Sequence, residues 1–397
     1  MSGVNFLEKL LDGVDIEWMA LGDFSEIYDG THQTPKYVDS GVPFVSVQNI
    51  KDLSGTDKYI SVEDFEKYKC KPRASDLFMT RIGDVGTCAI VSNDEPLAYY
   101  VTLALIRSNQ NIVNPKYILH VLHSGIGKSE LYKRTLIHAV PMKINLGEIG
   151  KLLIPIPCPE NPKKSLEIQA EIVRILDAFA ELTTELTTEL TARKKQYNYY
   201  RDQLLSFEEG DVEWKTLGDV VATIKTGKLN ANAMAEDGKY PFFTCDATPF
   251  KIDTYAFDTE AIIVSGNGSQ VGHINYYKGK FNAYQRTYIL ADCADGIRMG
   301  FLLTYLKAYL RPYIMQHSKK GSVPYITMPM LQSFKVPIPS VEKQVEITLI
   351  LDKFDALTNS LTEGLPHEIE LRQKQYEYYR DLLLSFPKPE APTVAQA

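Results

Sequence analysis

A long stretch of helical character occurs twice in this chain of 397 residues, and the repeat constrains the fold more than any other feature. The first copy runs from Glu167 to Phe207, with apolar residues at alternating spacings of four and three. This spacing predicts a helix with one apolar stripe, as in a coiled coil. Its middle, Glu181 to Ala192, consists of the units ELTT, ELTT and ELTA. Steps of four residues relax a coiled coil locally.

The second copy covers residues 342–386 and ends with QYEYYRDLLLSF, which matches QYNYYRDQLLSF of the first copy 179 residues earlier. LDKF in the second copy follows LDAF in the first by only 175 residues, so the second helix is longer by one four-residue unit. Gly364 and Pro366 lie in that region. Because proline removes a backbone hydrogen bond, we expect the second helix to break or bend near Leu365.

A globular segment precedes each helix, and the two segments begin and end alike. DIEWMALGDF and DVEWKTLGDV place Trp18 and Trp214 196 residues apart, and the segments close with LLIPIP and FKVPIP. Between these motifs, β-branched and aromatic runs such as VPFVSVQNI (Val42 to Ile50), EAIIVSG and RTYILA predict short strands. Each segment also has one apolar helix, PKYILHVLHS or MGFLLTYLKAYL. We therefore predict an α+β protein with a pseudo-twofold internal repeat, in which two mixed α/β domains are separated by two long antiparallel coiled-coil helices.

Composition excludes several classes of protein. No run of eighteen apolar residues predicts a membrane span, and the start MSGVNFLEKLLDG lacks the features of a secretory signal. The five cysteines are scattered and never spaced C-x-x-C, which favours reduced thiols in the cytoplasm without structural zinc. The net charge is −7, so a nucleic-acid ligand requires locally concentrated basic residues or a partner that supplies them.

The chain contains twice the same order of elements: a globular segment, an LDxF helix and a QYxYYRDxLLSF ending. This order resembles the specificity subunit of type I restriction-modification systems. EIYDGTHQTPKYVDSGVPFVSVQNI, from Glu26 to Ile50, is also similar to the start of a target-recognition domain in that family. The resemblance implies that each domain reads one half of a split double-stranded DNA target. It implies that the helices form a spacer that holds two methyltransferase subunits, with restriction (motor-nuclease) subunits outside them. S-adenosylmethionine, ATP and magnesium are implied for those partners and no cofactor for this chain.

The repeated motifs set the expected domain boundaries. These are residues 1–160 and 209–340 for the recognition domains, 161–208 for the central spacer helix, 341–386 for the distal one, and 387–397 for a disordered tail. A short N-terminal helix within residues 5–13 is expected beside the end of the second long helix. The resemblance does not imply a target sequence.

Paired polar loops supply the candidate DNA contacts. MTRIGDVG and VSGNGSQVG each follow an apolar strand, and their glycines permit tight turns close to a phosphate or groove wall, although a β-turn that needs glycine is the alternative. THQTPK and TGKLNANA follow the tryptophan motifs, and basic residues recur around AVPMKIN and before VPYI; ordinary solvated loops and surface charges are the alternative. The candidate DNA-binding residues are Thr31, His32, Gln33, Lys36, Arg81, Gly83, Lys143, Lys225, Lys228, Asn230, Asn267, Ser269, Gln270, Arg286, Lys319, Lys320 and Tyr325.

The repeated helix endings supply candidate partner contacts. Tyr199, Arg201, Tyr378 and Arg380 fall off the apolar stripe, and tyrosine and arginine are enriched in interface hot spots. SGIGKS lacks the first glycine of a phosphate-binding loop, and no methyltransferase motif, metal-ligand spacing or Ser, His and Asp set stands out. We therefore expect a non-catalytic DNA-binding subunit. The alternative is a coiled-coil adaptor that joins two protein-binding domains without DNA.

Overall fold

The computed structural model describes residues 14–208, 210–318, 323–360 and 362–387. The predicted N-terminal helix, most of the predicted tail, and the candidates Lys319 and Lys320 lie outside these ranges. The chain divides into two compact units. The first unit contains the described residues up to 186 and those from 369 onward, and the second contains residues 187–368. Each unit thus holds one globular domain, called the first and second domain below, and parts of both repeated helices.

The first domain is built of short strands in three sheets. Its strands are β1 (Ile16–Ala20), β2 (Ser25–Asp29), β3 (Val42–Val45), β4 (Tyr59–Ile60), β5 (Leu77–Thr80), β6 (Cys88–Ile90), β7 (Ala98–Tyr99), β8 (Leu103–Ser108) and β9 (Leu153–Pro157). The sheets have the orders β2-β8-β5-β6, β4-β3-β7 and β1-β9. The helices that follow in chain order are α1 (Val62–Glu66), α2 (Pro115–His123), α3 (Gly125–Arg134), α4 (Leu146–Gly150) and the long α5 (Pro162–Leu204), which ends in the second unit.

The second domain repeats this plan with longer strands. Its strands are β10 (Glu213–Thr216), β11 (Val221–Thr226), β12 (Tyr240–Phe243), β13 (Phe250–Ile252), β14 (Phe257–Ser265), β15 (Ile274–Ala283), β16 (Thr287–Cys293) and β17 (Lys335–Ile338). β15 is long enough to pair with both β14 and β12, so one six-stranded sheet, β11-β16-β14-β15-β12-β13, replaces two sheets of the first domain. Its helices are α6 (Leu217–Val220), α7 (Met299–His317), α8 (Met328–Gln332), α9 (Val341–Asn359) and α10 (Leu365–Leu383), the last of which ends in the first unit.

The motifs that open and close each domain pair with each other. β1 lies antiparallel to β9, with Trp18 opposite Pro155, and β10 lies antiparallel to β17, with Trp214 opposite Pro337. Both are two-stranded sheets, in which a proline without an N–H is tolerated. Each domain therefore begins and ends at one place, beside the start of a long helix.

A buried glutamine joins each domain to the helix that follows it. The Oε1 atom of Gln169 on α5 accepts the backbone N–H of Asn114, just before α2, at 2.8 Å. Gln344 on α9 does the same for Arg298, just before α7, also at 2.8 Å. Both glutamine side chains are fully buried. Because the first N–H groups of a helix lack partners within it, this bond fixes the apolar helix of each domain on the long helix.

Within each unit, the QYxYYRD ending of one copy packs on the LDxF segment of the other. In the first unit Tyr379 stacks on Phe179 with ring centroids 5.2 Å apart. In the second unit Tyr200 stacks on Phe354 at 5.7 Å. The helix ending of each copy thus packs on the LDxF segment of the other copy, which explains why the chain contains the LDxF and QYxYYRD motifs twice.

The expected break in the second helix is present, but proline does not cause it by kinking a helix interior. α9 ends at Asn359 and α10 begins at Leu365, after Gly364 with φ of +82°. Pro366 lies in the first turn of α10, where a missing N–H costs no hydrogen bond. A Cβ atom on Gly364 would lie 2.4 Å from the carbonyl oxygen of Ala356, so glycine is required at the turn.

We predict that the first domain loses stability as the pH falls from about 6.5 to about 4. The Nε2 atom of His123 accepts the backbone N–H of Cys88 at 3.0 Å, which requires a neutral imidazole. Burial lowers the pKa of His123 to about 4. The unfolded chain therefore takes up a proton that the folded domain does not, which lowers the free energy of unfolding by about 2–3 kcal/mol. Trp18 fluorescence in a Trp214→Phe background measures this loss.

The control is His123→Gln, whose side-chain oxygen still accepts a hydrogen bond but does not titrate. Its free energy of unfolding should fall less steeply with pH, and the remaining slope should reflect His120, whose pKa burial also lowers. An equal slope in the variant and the parent would rule out His123 as the source.

Candidate nucleic-acid interface

Four loops of the first domain form one hydrogen-bonded surface. They are loop 1 (residues 30–36), loop 2 (residues 100–102), loop 3 (residues 81–86) and loop 4 (residues 136–143). Backbone N–H groups join them in series: Val101 to Thr31 (3.0 Å), Arg81 to Thr102 (2.9 Å) and Gly83 to Met142 (2.8 Å). The candidate DNA-binding residues of the first domain, which are far apart in sequence, therefore come together in four adjoining loops.

The second domain repeats the same four loops. They are loop 1 (residues 227–233), loop 2 (residues 284–286), loop 3 (residues 266–272) and the described part of loop 4 (residues 323–325). The Gln285 N–H donates to Leu229 at 2.9 Å, which joins loops 1 and 2, and Asn267 pairs with Tyr325 in an antiparallel bridge between loops 3 and 4. The corresponding bridge of the first domain joins Ile82 to Lys143. The surface is thus a property of the repeat.

Most candidate residues on these surfaces face solvent. Among the described candidates, the exposed ones are His32, Gln33, Lys36, Gly83, Lys143, Lys225, Lys228, Asn230, Ser269, Gln270, Arg286 and Tyr325. Thr31 and Asn267 are half-buried. Lys225 lies on β11 opposite Ile289, at the edge of the surface, and the others belong to the loops. The exposed side chains include the cations and amides that phosphate contact and base reading require.

Arg81 differs from expectation because it lies inside the first domain, with 8% of the residue exposed. Its guanidinium donates to the carbonyl oxygens of Val101 at 3.2 Å and Ile144 at 3.4 Å, and lies 3.7 Å from the Asp29 carboxylate. Burial lowers the pKa of Arg81, and the Asp29 charge opposes the shift. A side chain held this way orders loops 2 and 4 and is not available to a base or phosphate.

The second domain fills the same place with a different residue. Gly266 is the equivalent of Arg81. The Ile326 N–H donates to the carbonyl oxygen of Gly266, as the Ile144 N–H donates to that of Arg81. A Cβ atom on Gly266 would lie 2.8 Å from the Tyr288 ring. The Tyr288 hydroxyl donates to the Ile326 carbonyl at 2.9 Å, as Arg81 donates to that of Ile144. Arginine and tyrosine are thus alternative ways to hold the end of loop 4.

The paired glycines of loop 3 separate into two kinds. Gly83 and Gly268 have φ of +87° and +84°, and a Cβ atom there would meet nothing within 4 Å. A Cβ atom on Gly86 would instead lie 2.6 Å from Leu131, and one on Gly272 3.0 Å from Ile314. The second pair is needed for packing, which agrees with the β-turn alternative. The first pair keeps the loop tip open for close approach of a ligand.

A cleft of about 460 Å³ lies beside loop 1 of the first domain. Its lining includes loop 1 together with Lys67, Tyr68 and Lys69. These two lysines are exposed, and the sequence analysis missed them. The signal that indicates them is the alternation of cations in KYKCKPR, which is unusual in a chain of net charge −7. Lys36 and Lys69 add positive charge to the rim of the cleft, whereas Lys67 is paired with Asp64 at 2.6 Å.

The repeated helix endings divide their tyrosines and arginines between two tasks. Tyr199 and Tyr378 are 61% and 63% exposed, so both are accessible to a partner. Arg380 differs from expectation: it is buried, and its guanidinium lies over the Tyr376 ring, 5.4 Å from the centroid. Arg201 lies similarly over Tyr197 at 5.9 Å. The arginines brace stripe tyrosines in this structure.

Other site classes find no support in the part of the chain that is described. Within residues 14–208, 210–318, 323–360 and 362–387, no group of three or more His, Cys, Asp or Glu residues could hold a metal ion. No described helix is both long and apolar enough to cross a membrane.

Comparison with known proteins gives one consistent result. A family model described as the type I restriction modification DNA specificity domain matches residues 13–194 and 209–371. A type I restriction enzyme specificity subunit from Escherichia coli is 37% identical over 415 aligned residues, which cover 98% of this chain and 99% of the relative. The EcoprrI specificity subunit of the same species is 34% identical, with 91% and 93% covered.

Solved structures show the same fold. The S subunit of a type I restriction-modification system from M. genitalium aligns with a TM-score of 0.61 at 17% identity, covering 95% of this chain and 98% of that one. A chain from a study of complex assembly and conformational transition in the type I system aligns with a TM-score of 0.58 at 16% identity, covering 93% and 97%.

Proposed function

This chain belongs to the type I restriction-modification specificity subunits, and from that premise we propose that its two domains read the two halves of a split double-stranded DNA target through their four-loop surfaces. The observation that carries the proposal is the repetition of the surface. Equivalent backbone contacts join loop 1 to loop 2 and loop 3 to loop 4 in both domains, although few of the side chains agree. A common backbone with different side chains is suited to reading two different half-sites.

The amides and cations of the two surfaces have roles suited to their chemistry. Asn267 and Gln270 carry amides that pair with adenine in the major groove, and Arg286 can fork onto guanine. Lys36, Lys143 and the other lysines supply phosphate contacts. Arg81 positions loops 2 and 4 of the first domain and Tyr288 positions loop 4 of the second, each from inside its domain and without contacting DNA.

The remaining parts of the proposal concern the partners. The chain is a non-catalytic subunit whose helices hold two methyltransferase subunits for adenine methylation, with restriction subunits joining for cleavage. S-adenosylmethionine is bound by the methyltransferase, and ATP and magnesium by the restriction subunit. This chain holds no cofactor and acts in the cytoplasm.

Binding to duplex DNA tests the proposal against the protein-adaptor alternative. The complex of this chain with its methyltransferase should bind a target duplex more tightly than a scrambled duplex, and affinity for both should fall as salt rises. An adaptor accounts for the helices but not for the paired loops. Absence of any preference for a duplex sequence would favour the adaptor.

Exposed tyrosines on the helix endings should bind the methyltransferase. We expect Tyr199→Ala combined with Tyr378→Ala to weaken its affinity at least tenfold, since exposed aromatic anchors dominate such interfaces. Co-purification and titration of the two subunits measure this. Tyr132→Ala is the matched control, because Tyr132 is 67% exposed and lies on α3, outside the two repeated helix endings. Undiminished assembly of the double variant would contradict the prediction.

A further inference from the structure

Loop 4 of each domain contains a Val-Pro pair with an exposed valine, to which the assignment of cations and amides gives no role. Val140 is 99% exposed and is followed by Pro141, and Val323 is 68% exposed and is followed by Pro324. The methyl groups of an exposed valine are in contact with water, and their burial against an apolar group of a ligand is favourable. A single exposed apolar residue is ordinary, but here a Val-Pro pair recurs in loop 4 of both domains, three residues before the bridge to loop 3 in the first domain and two residues before it in the second.

Both pairs are fixed beside loop 3. Shortly after Val140, Lys143 bridges to Ile82, and the Ile144 N–H donates to the Arg81 carbonyl. Shortly after Val323, Tyr325 bridges to Asn267 and the Ile326 N–H donates to the Gly266 carbonyl at 2.8 Å. Proline restricts the backbone of each pair, so little conformational entropy is lost when a ligand binds. Each valine is therefore held next to loop 3 of its own domain, and in the second domain this loop carries Asn267 and Gln270.

The chemistry of the pair selects one feature of DNA. Valine and proline side chains carry no hydrogen-bonding group, so neither can bind a phosphate. The apolar group that B-DNA presents to a protein is the C5-methyl of thymine in the major groove, where asparagine and glutamine also recognise adenine. Asn267 and Gln270 lie in loop 3 beside the second pair, so an amide and a methyl contact can fall in the same groove.

Resting on the proposed function, we propose that Val140 and Pro141 in the first domain, and Val323 and Pro324 in the second, contact a thymine methyl group in each half of the target. The contact adds sequence discrimination to each half-site without adding charge. Its loss should therefore weaken specific binding and leave the electrostatic part of the affinity unchanged.

The test couples one methyl group of the DNA to one side chain of the protein. The full chain in complex with its methyltransferase is titrated with the target duplex and with duplexes in which each thymine in turn is replaced by uracil. The parent complex should lose about threefold in affinity at one thymine of each half-site. Val140→Ser should bind the unmodified target about three- to tenfold more weakly and be insensitive to that uracil in the first half-site only. Val323→Ser should do the same in the second.

The controls separate loss of this methyl contact from loss of a phosphate contact and from misfolding. The slope of affinity against salt concentration should be the same for both variants and the parent, because no phosphate contact is removed. Val62→Ser changes a valine that is 60% exposed on α1 of the first domain and should bind like the parent. Thermal unfolding checks that the variants fold.

Three results would overturn the inference. In the first, both valine variants bind the target as tightly as the parent does. In the second, the variants bind more weakly but still lose affinity at each uracil to which the parent is sensitive, which indicates a different apolar contact. The third is a parent complex that does not prefer the target to a scrambled duplex, and in that case the proposed function fails as well. The first two results leave the proposed function intact.

Discussion

Replacement of residues 18–157 by the corresponding segment of another specificity subunit will change one half of the DNA target completely and leave the other half unchanged. All four loops of the first domain lie within this segment. Its ends lie in β1 and β9, which pair with each other, so the two junctions of the graft are adjacent. The second domain has its own closing pair and its own four loops.

The graft must preserve the contacts that fix the domain on the long helix. In the parent, Gln169 accepts the N–H before α2, and Asp177 accepts a hydrogen bond from His120 at 3.0 Å. A donor segment that cannot make these contacts should lose stability rather than change the second half-site. The control is the reciprocal graft of the second domain, which should change only the other half. Simultaneous change of both half-sites after one graft would show that the domains do not read DNA separately.

Deletion of one repeat unit, Thr183 to Leu186, should shorten the unread gap between the half-sites by one or two base pairs and leave both half-sites unchanged. Four residues correspond to about 6 Å of helix, and a base pair to about 3.4 Å of duplex. The deletion rotates the distal helix by about 40° and two base pairs turn the duplex by about 70°, a difference that DNA deformation can absorb at modest cost.

The structure indicates that α5 tolerates this deletion. Its buried residues end at Leu176, so the repeat units are not part of a domain core. Thr183 and Thr184 donate their hydroxyls to the carbonyl oxygens four residues earlier, at 3.0 and 2.9 Å, and such bonds re-form in any register of the repeat. Mapping of modified adenines measures the gap. A variant that methylates with the original gap would show that the repeat is a generic linker and not a ruler.

The sequence repeat predicted the fold class, because each copy contains both the long helix and the strand motifs of one globular domain. Local structure was predicted less well where a side chain hydrogen-bonds the backbone and so replaces the backbone pairing of a sheet. The apolar run Val42 to Ile50 was predicted as one strand, yet β3 ends at Val45. The Ser46 hydroxyl then caps a 3₁₀ turn over Val47–Asn49, which is a common alternative to a strand at serine. The joining of two sheets by β15 depends on strand length, which no motif marks.

The sequence singled out loops 1, 3 and 4, whereas loop 2 was represented only by Arg286, and the roles of single side chains were predicted less well. The pairing of loops can be seen in sequence because the repeat places them at equivalent positions. The direction of a side chain at the end of a strand cannot, so Arg81 could not be told from a surface arginine. Its role depends on the carbonyl groups of Val101 and Ile144, which lie 20 and 63 residues further along the chain. Arg380 is also buried, and its guanidinium lies over the ring of Tyr376 four residues earlier.

A genome-wide map of modified adenines, in cells that carry this chain and its methyltransferase, tests the central claim most directly. The account predicts methylation that depends on this chain, at two fixed half-sites separated by a gap of constant length and unspecified sequence. Methylation at one uninterrupted motif, or methylation that persists when the chain is deleted, would contradict it.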